Sequence, residues 1–163
     1  MSAGGYGGDA PPVPGVWRPS VTVAAILERD GRFLFVEEEQ DGRRVLNQPA
    51  GHLDPGESLV HACAREVMEE TAHVFAPEGL VGIYRWRYAA KDVTFLRFCF
   101  FGDILGVEEG RKLDSEIVAL HWLNIQELKR RSAQHRSPLV QQCVDDYLAG
   151  RRFPLEVLSK AYG

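Results

Sequence analysis

The sequence predicts one α/β domain, an α/β/α sandwich built on a mixed β-sheet. Three observations predict it. Val93 to Phe101 is apolar on both faces apart from Arg97, as in a strand covered by helices on each side. The Asp-Gly pairs at Asp30-Gly31 and Asp41-Gly42 separate short apolar runs, which is the signature of hairpins. Longer stretches with a helical apolar period lie between and after those runs.

Taken in order, residues 1–15 contain eight Gly or Pro and no apolar period, and so predict a flexible tail, with the domain spanning residues 16–163. The Gly4–Gly8 cluster has neither the Lys-Ser/Thr nor the preceding strand that a phosphate loop needs. Strands are expected at Val21 to Leu27, Arg32 to Val36 and Arg43 to Asn47. A tight, turn-rich loop then leads into a helix from about Ser58 to Thr71. Further strands are expected near Leu80 to Tyr88, Val93 to Phe101 and Glu116 to Leu123. Two helices close the domain, Ile125 to about Arg131 and Leu139 to Leu148, with Gly150 as a stop.

Composition excludes several classes. Nineteen Lys+Arg against 23 Asp+Glu leave no basic footprint for a nucleic-acid polymer. The apolar runs fall short of the ~20 residues that span a bilayer, so no membrane partner is expected. Cys63, Cys99 and Cys143 are odd in number and form no C-x-x-C pair, which argues against a disulfide framework or structural zinc. A reduced, cytoplasmic location is expected, and no secretion signal is visible.

The segment from Gly51 to Glu70 carries the chemistry. On a helix, Glu66, Glu69 and Glu70 share a face within roughly 100°. Leu59, Val60, Cys63, Val67 and Thr71 form the neighbouring stripe that would pack on the sheet. Like charges three or four apart destabilise an isolated helix by roughly 0.2–0.5 kcal/mol per pair, so their company points to a cation. Hard oxygen ligands select Mg²⁺, with Mn²⁺ as the alternative, and Mg²⁺ binds through a few carboxylates plus substrate phosphates. The expected partner is therefore a small-molecule phosphate-anhydride substrate. Arg65, four residues before Glu69, is expected to orient a carboxylate. Gly51 permits close backbone approach to a metal or phosphate, and its carbonyl is a candidate ligand. Glu57 can stabilise the positive end of the helix and reach the metal cluster. Taken alone, E-x-x-E-E reads as a solvated helix face. The full spacing, G-x5-E-x7-R-E-apolar-x-E-E, has chance odds on the order of 10⁻⁵ in a chain this long.

This pattern, matched at Gly51, Glu57, Arg65, Glu66, Val67, Glu69 and Glu70, resembles the Nudix box of hydrolases that cleave nucleoside diphosphates linked to another group. The resemblance implies the same α/β/α sandwich. It extends to the segments VTVAAI from Val21, NQPAGHL from Asn47, FLRF from Phe95, RSPLV from Arg136 and PLE from Pro154, which look like the NudJ type of Nudix phosphatase. The similarity covers about Arg18 to Leu158. It implies Glu66 and Glu70 as metal ligands and Glu69 as a third ligand or water-activating base. It also implies an acidic group near Glu116 as a second base, with Asp114 as competitor. A NudJ-type enzyme releases orthophosphate from nucleoside tri- and diphosphates and acts on hydroxymethylpyrimidine diphosphate. A monomer is expected on the same ground. The other readings are a Nudix diphosphatase for ADP-ribose-like or dinucleotide substrates, and a nucleotide-binding module without turnover.

One position departs from the family pattern. Ala72-His73 stands where Gly and an apolar residue are usual, so the helix either ends differently or tolerates a strained cap. Substrate anions also need cations. Arg97, the lone charge of an apolar strand, binds substrate or pairs with a box glutamate, and Arg136 is a second candidate. Tyr84, Trp86 and Tyr88 share one strand face, with Trp86 a candidate for stacking on a ring and core packing the commoner role.

Overall fold

The structure, a computed structural model, describes residues 13–159. The Gly4–Gly8 cluster and the rest of residues 1–12 lie outside the described residues. Val13–Gly15 form an exposed turn ahead of the first strand.

The strands form where β-branched and aromatic residues meet turn residues. β1 (Ser20–Ile26) is followed by β2 (Glu28–Arg29), β3 (Arg32–Gln40) and β4 (Arg43–Asn47). The turns between them place Asp30 and Gly31, then Asp41 and Gly42, at φ of 50–75°, as two-residue hairpins demand. β5 (Ala50–His52) precedes α1 (Leu59–Thr71), and β6 (His73–Tyr88) and β7 (Val93–Val107) make a long hairpin. β8 (Ile117–Leu123), α2 (Ile125–Arg130), α3 (Leu139–Leu148) and β9 (Phe153–Pro154) complete the chain.

The central sheet has the order β5-β1-β7-β6-β9 and is mixed, because β1 and β7 run parallel while the other pairs are antiparallel. A second, antiparallel sheet joins β2, β3, β4 and β8. One core packs α1 through Ala62, Cys63 and Val67 against Val23, Ala25, Leu80 and Phe100. The other packs Val140, Cys143 and Val144 of α3 and Leu128 of α2 against Ala24, Ile26, Val81 and Cys99. Helices therefore cover both faces, and alternate residues of β1 feed the two cores. Val67 has no exposed area, a burial worth about 1.5–3 kcal/mol.

Two details differ from the sequence expectation, and a third selects one of its alternatives. Residues 50–52 are a strand paired with β1 rather than a loop; at three residues, punctuated by Pro49 and Gly51, it carries no period to read. The β6–β7 hairpin runs well beyond Leu80 and Phe101, through register shifts where Gly79 and Gly102 remove side chains that would collide. The box helix ends where the family pattern ends it, with Ala72 held at φ 59°, ψ 15° and its N–H donating to the Met68 carbonyl at 2.9 Å. The departure is thus absorbed as a left-handed alanine, and His73 is buried edge-on to Trp122. No helix among the described residues is long and apolar enough to cross a membrane.

Candidate active site

The site is organised by α1. Ser58 caps its start, its Oγ accepting from the His61 N–H at 3.1 Å. The apolar stripe docks the helix, and the acidic face is left beside β5. Three carboxylates meet there. Oxygens of Glu66, Glu70 and Asp114 lie within 4.8 Å of one another. Gly51 makes room for them, since a Cβ at that position would stand 2.0 Å from the Glu66 carboxylate carbon. Glu70 Oε1 accepts from the Ala50 N–H at 2.7 Å, which ties the helix to β5.

The electrostatics show a site short of positive charge. Burial pushes the Glu70 carboxyl up to about 9, with Glu38, Glu66 and Asp114 adding to the shift against the Ala50 hydrogen bond. Burial also raises Glu66, opposed by Arg65. Asp114 is raised by burial and then by Glu69 and Glu116. Such a set of hard oxygens, crowded and partly protonated, fits a divalent cation.

Arg65 sits at the hub of a different set. Its guanidinium donates to both oxygens of Glu57 (2.6 and 3.0 Å), to Glu66 Oε1 (2.8 Å), to Glu69 Oε2 (3.2 Å) and to the His52 carbonyl (3.0 Å). This bidentate clamp holds the 52–57 loop against α1 and lowers the Glu57 carboxyl below its ordinary value. The structure thus brings Glu66 and Glu70 together with Asp114. It turns Glu57 and Glu69 towards Arg65. Glu116 is exposed and lines the cleft two residues from Asp114.

The carboxylates open onto a cleft of 860 Å³. Its wall includes Arg97, buried at 7% exposure, whose two Nη atoms donate to Asn47 Oδ1 and Gln48 Oε1, each at 3.0 Å. The partners are neutral amides, not the box glutamate that the sequence allowed. Arg136 also lines the cleft and pairs with Glu38 at 2.5 Å. Tyr84 leaves the cleft and donates to buried Asp146 Oδ2 at 2.8 Å, whereas Trp86 and Tyr88 line it.

Sequence reasoning missed Glu38. It follows a bulge in β3 and is buried, and burial raises its carboxyl against the pull of Arg136. The one sequence signal for it is three consecutive glutamates, 37–39, at the end of a predicted strand. Asn47 and Gln48 were visible only as part of a resembling segment.

Comparison with known proteins agrees with this geometry. The NUDIX domain family matches residues 16–143. This chain belongs to the Nudix family. Phosphatase NudJ of Escherichia coli K12 is 38% identical over 143 residues, which are 88% of this chain and 92% of that protein. A NUDIX hydrolase from Nitrosomonas europaea superposes with a TM-score of 0.86 at 50% identity, covering 88% of this chain and 98% of that one. A MutT NUDIX hydrolase from Burkholderia pseudomallei, at 20% identity and TM-score 0.68, shares the fold over 80% of this chain and 98% of its own. This Nudix protein is accordingly a hydrolase of phosphoric anhydrides, similar to NudJ, from a family that generally uses divalent metals. Among the described residues, Glu66, Glu70 and Asp114 form a group that could hold such an ion.

Proposed function

We propose that this Nudix hydrolase is a Mg²⁺-dependent phosphatase, with Mn²⁺ able to substitute, that removes the terminal phosphate of nucleoside tri- and diphosphates and of hydroxymethylpyrimidine diphosphate. The observation that carries the reading is the trio of Glu66, Glu70 and Asp114 at the end of a cleft that also holds Arg97. Glu66 and Glu70, with Asp114 beside them and the Gly51 carbonyl nearby, would hold the metal. When bound, the ion would neutralise phosphate oxygens and lower the pKa of an attacking water.

The chain's own residues do the rest. Arg97 offers the phosphate chain a permanent charge whose hydrogen-bond partners are the neutral amides of Asn47 and Gln48. Arg136, half-exposed beside Glu38, supplies a second donor at the cleft wall, and Trp86 contacts the remainder of the substrate. Among the described residues no ion pair engages Glu116, so its carboxylate is free to orient water and accept its proton. Glu57 and Glu69 act through Arg65, which positions Glu66. Three free, buried cysteines accord with a reducing, cytoplasmic setting.

The test is product analysis with GTP and Mg²⁺, using malachite green for orthophosphate and chromatography for nucleotides. Orthophosphate release, abolished by EDTA and by Glu70→Gln, is expected. Pyrophosphate as the sole phosphorus product rejects the phosphatase reading, and equal turnover by Glu70→Gln rejects box catalysis.

A further inference from the structure

The junction between β4 and β5 holds a fully buried amide. Gln48 is 1% exposed and does not line the cleft, but it stands behind Arg97, which does. Its Nε2 donates to the Val140 carbonyl in the first turn of α3 at 2.7 Å, and its Oε1 accepts from Arg97 Nη1 at 3.0 Å. A carbonyl on one side and a guanidinium on the other admit one orientation of the amide. Turned over, it would set oxygen against oxygen and N–H against N–H. α3 therefore fixes which face Gln48 shows to Arg97. Asn47, next along the chain, presents its Oδ1 to Arg97 Nη2 at 3.0 Å. Leu46 accepts from the backbone N–H of Arg136 at 2.9 Å. Three consecutive residues, Leu46 to Gln48, thus set the place of both cleft arginines.

The chemistry of these partners is unusual for a buried arginine, which ordinarily faces a carboxylate. Among the described residues no salt bridge engages Arg97. Glu38 feels its charge but is itself paired with Arg136. Two amide oxygens satisfy the guanidinium geometry without cancelling its charge. A carboxylate in place of the Gln48 amide would cancel it and would also lose the donor to Val140. We propose that Gln48 is a positioning residue: its amide, oriented by α3, holds the Arg97 guanidinium in place and leaves its charge available to the phosphate chain of the substrate. This inference rests on the cleft being the substrate site of the phosphatase reading.

The test uses the full chain with Mg²⁺, calorimetry of the β,γ-methylene analogue of GTP as the binding probe, and orthophosphate release from GTP. Gln48→Met removes both hydrogen bonds at similar volume and is expected to weaken probe binding and raise KM roughly tenfold, with a smaller change in kcat. Gln48→Glu keeps the shape and pairs with Arg97, and a loss of about a hundredfold is expected. Arg97→Met weakens binding by itself. In that background neither substitution at Gln48 is expected to cost more than about twofold, because the group it serves is gone. Gln141→Met, whose amide bonds Asp145 along α3 outside the cleft, is expected to leave binding unchanged. Losses of equal size in both backgrounds mean that Gln48 acts on the fold at large, and they overturn the proposal. Wild-type binding by Gln48→Glu or by Arg97→Met overturns it too. Gln48→Glu retains the volume of the amide, so the comparison of backgrounds holds even where Gln48→Met folds poorly. If no nucleotide releases phosphate but probe binding follows the expected pattern, the phosphatase reading fails while the positioning role stands.

Discussion

The Gly51→Ala substitution strikes the carboxylate trio without removing any member of it. A Cβ at this position would lie 2.0 Å from the Glu66 carboxylate carbon and 2.2 and 2.3 Å from its oxygens. Ordinary contact begins at 3.4 Å, so the carboxylate must retreat by 3.4 − 2.0 = 1.4 Å. A ligand bond to Mg²⁺ is about 2.0–2.1 Å long and tolerates little deviation. A retreat of that size would break the bond that the proposed site gives Glu66, and misplacing a catalytic group by about 1 Å can cost about 10²-fold in rate. Folding should suffer far less, because the colliding atoms are the end of a flexible side chain and Gly51 has no left-handed backbone requirement. The assay is orthophosphate release over a Mg²⁺ titration, paired with thermal denaturation in EDTA. About a hundredfold loss of kcat/KM, a weakened Mg²⁺ response and a Tm within about 2–4 °C of the wild type are expected. Gly106→Ala, where nothing lies within 4 Å of the new Cβ, serves as the control. Wild-type activity with unchanged Mg²⁺ dependence would refute the role of Glu66. A large fall in Tm would show that the backbone, not the carboxylate, absorbs the collision.

The remaining predictions concern stability and charge. Ala72→Gly relieves a left-handed alanine and should stabilise the fold by about 0.5–1 kcal/mol, read as a small rise in the denaturation midpoint with activity unchanged; a fall would contradict the strain. Glu70 titrates at about 9 when folded against 4.5 for a free carboxyl, so between those values the folded state binds a proton that the unfolded chain lacks. Its contribution is therefore full below pH 4.5 and is lost as pH rises towards 9, with a slope of at most about 1.4 kcal/mol per pH unit. Urea titrations in EDTA should show lower stability at pH 8 than at pH 6, and Glu70→Gln, which stays neutral, should flatten that difference. Arg65→Ala frees Glu57, Glu66 and Glu69 from their common partner and should destabilise the protein by about 1–3 kcal/mol as well as lower kcat. Stability and kcat both unchanged in that variant would remove Arg65 from its positioning role.

Much of the architecture could be read directly because each signal was local. The Asp-Gly turns and the apolar stripe of Cys63 and Val67 lie within one element or beside it, and both appear where the pattern put them. The pairing of β5 did not, since three residues carry no period and Ala50–His52 becomes a strand only when β1 lies alongside. The same division runs through the site. Helical geometry alone put Glu66, Glu69 and Glu70 on one face. The spacing also gave Arg65, at i−4 from Glu69, a carboxylate to orient, but it could not say that Asp114 would stand with Glu66 and Glu70.

The sequence by itself determined the family, the sandwich and the helix that carries the acidic face. Residue spacing along one helix is governed by a fixed rotation per residue, so its chemistry is written in consecutive letters. Only the tertiary structure decided the third member of the carboxylate trio, the burial of Glu38, and the neutral hydrogen-bond partners of Arg97. Those neighbours come from strands and turns far apart along the chain. They meet through sheet pairing and packing of the two cores, and no periodicity in the sequence records which side chain will face which.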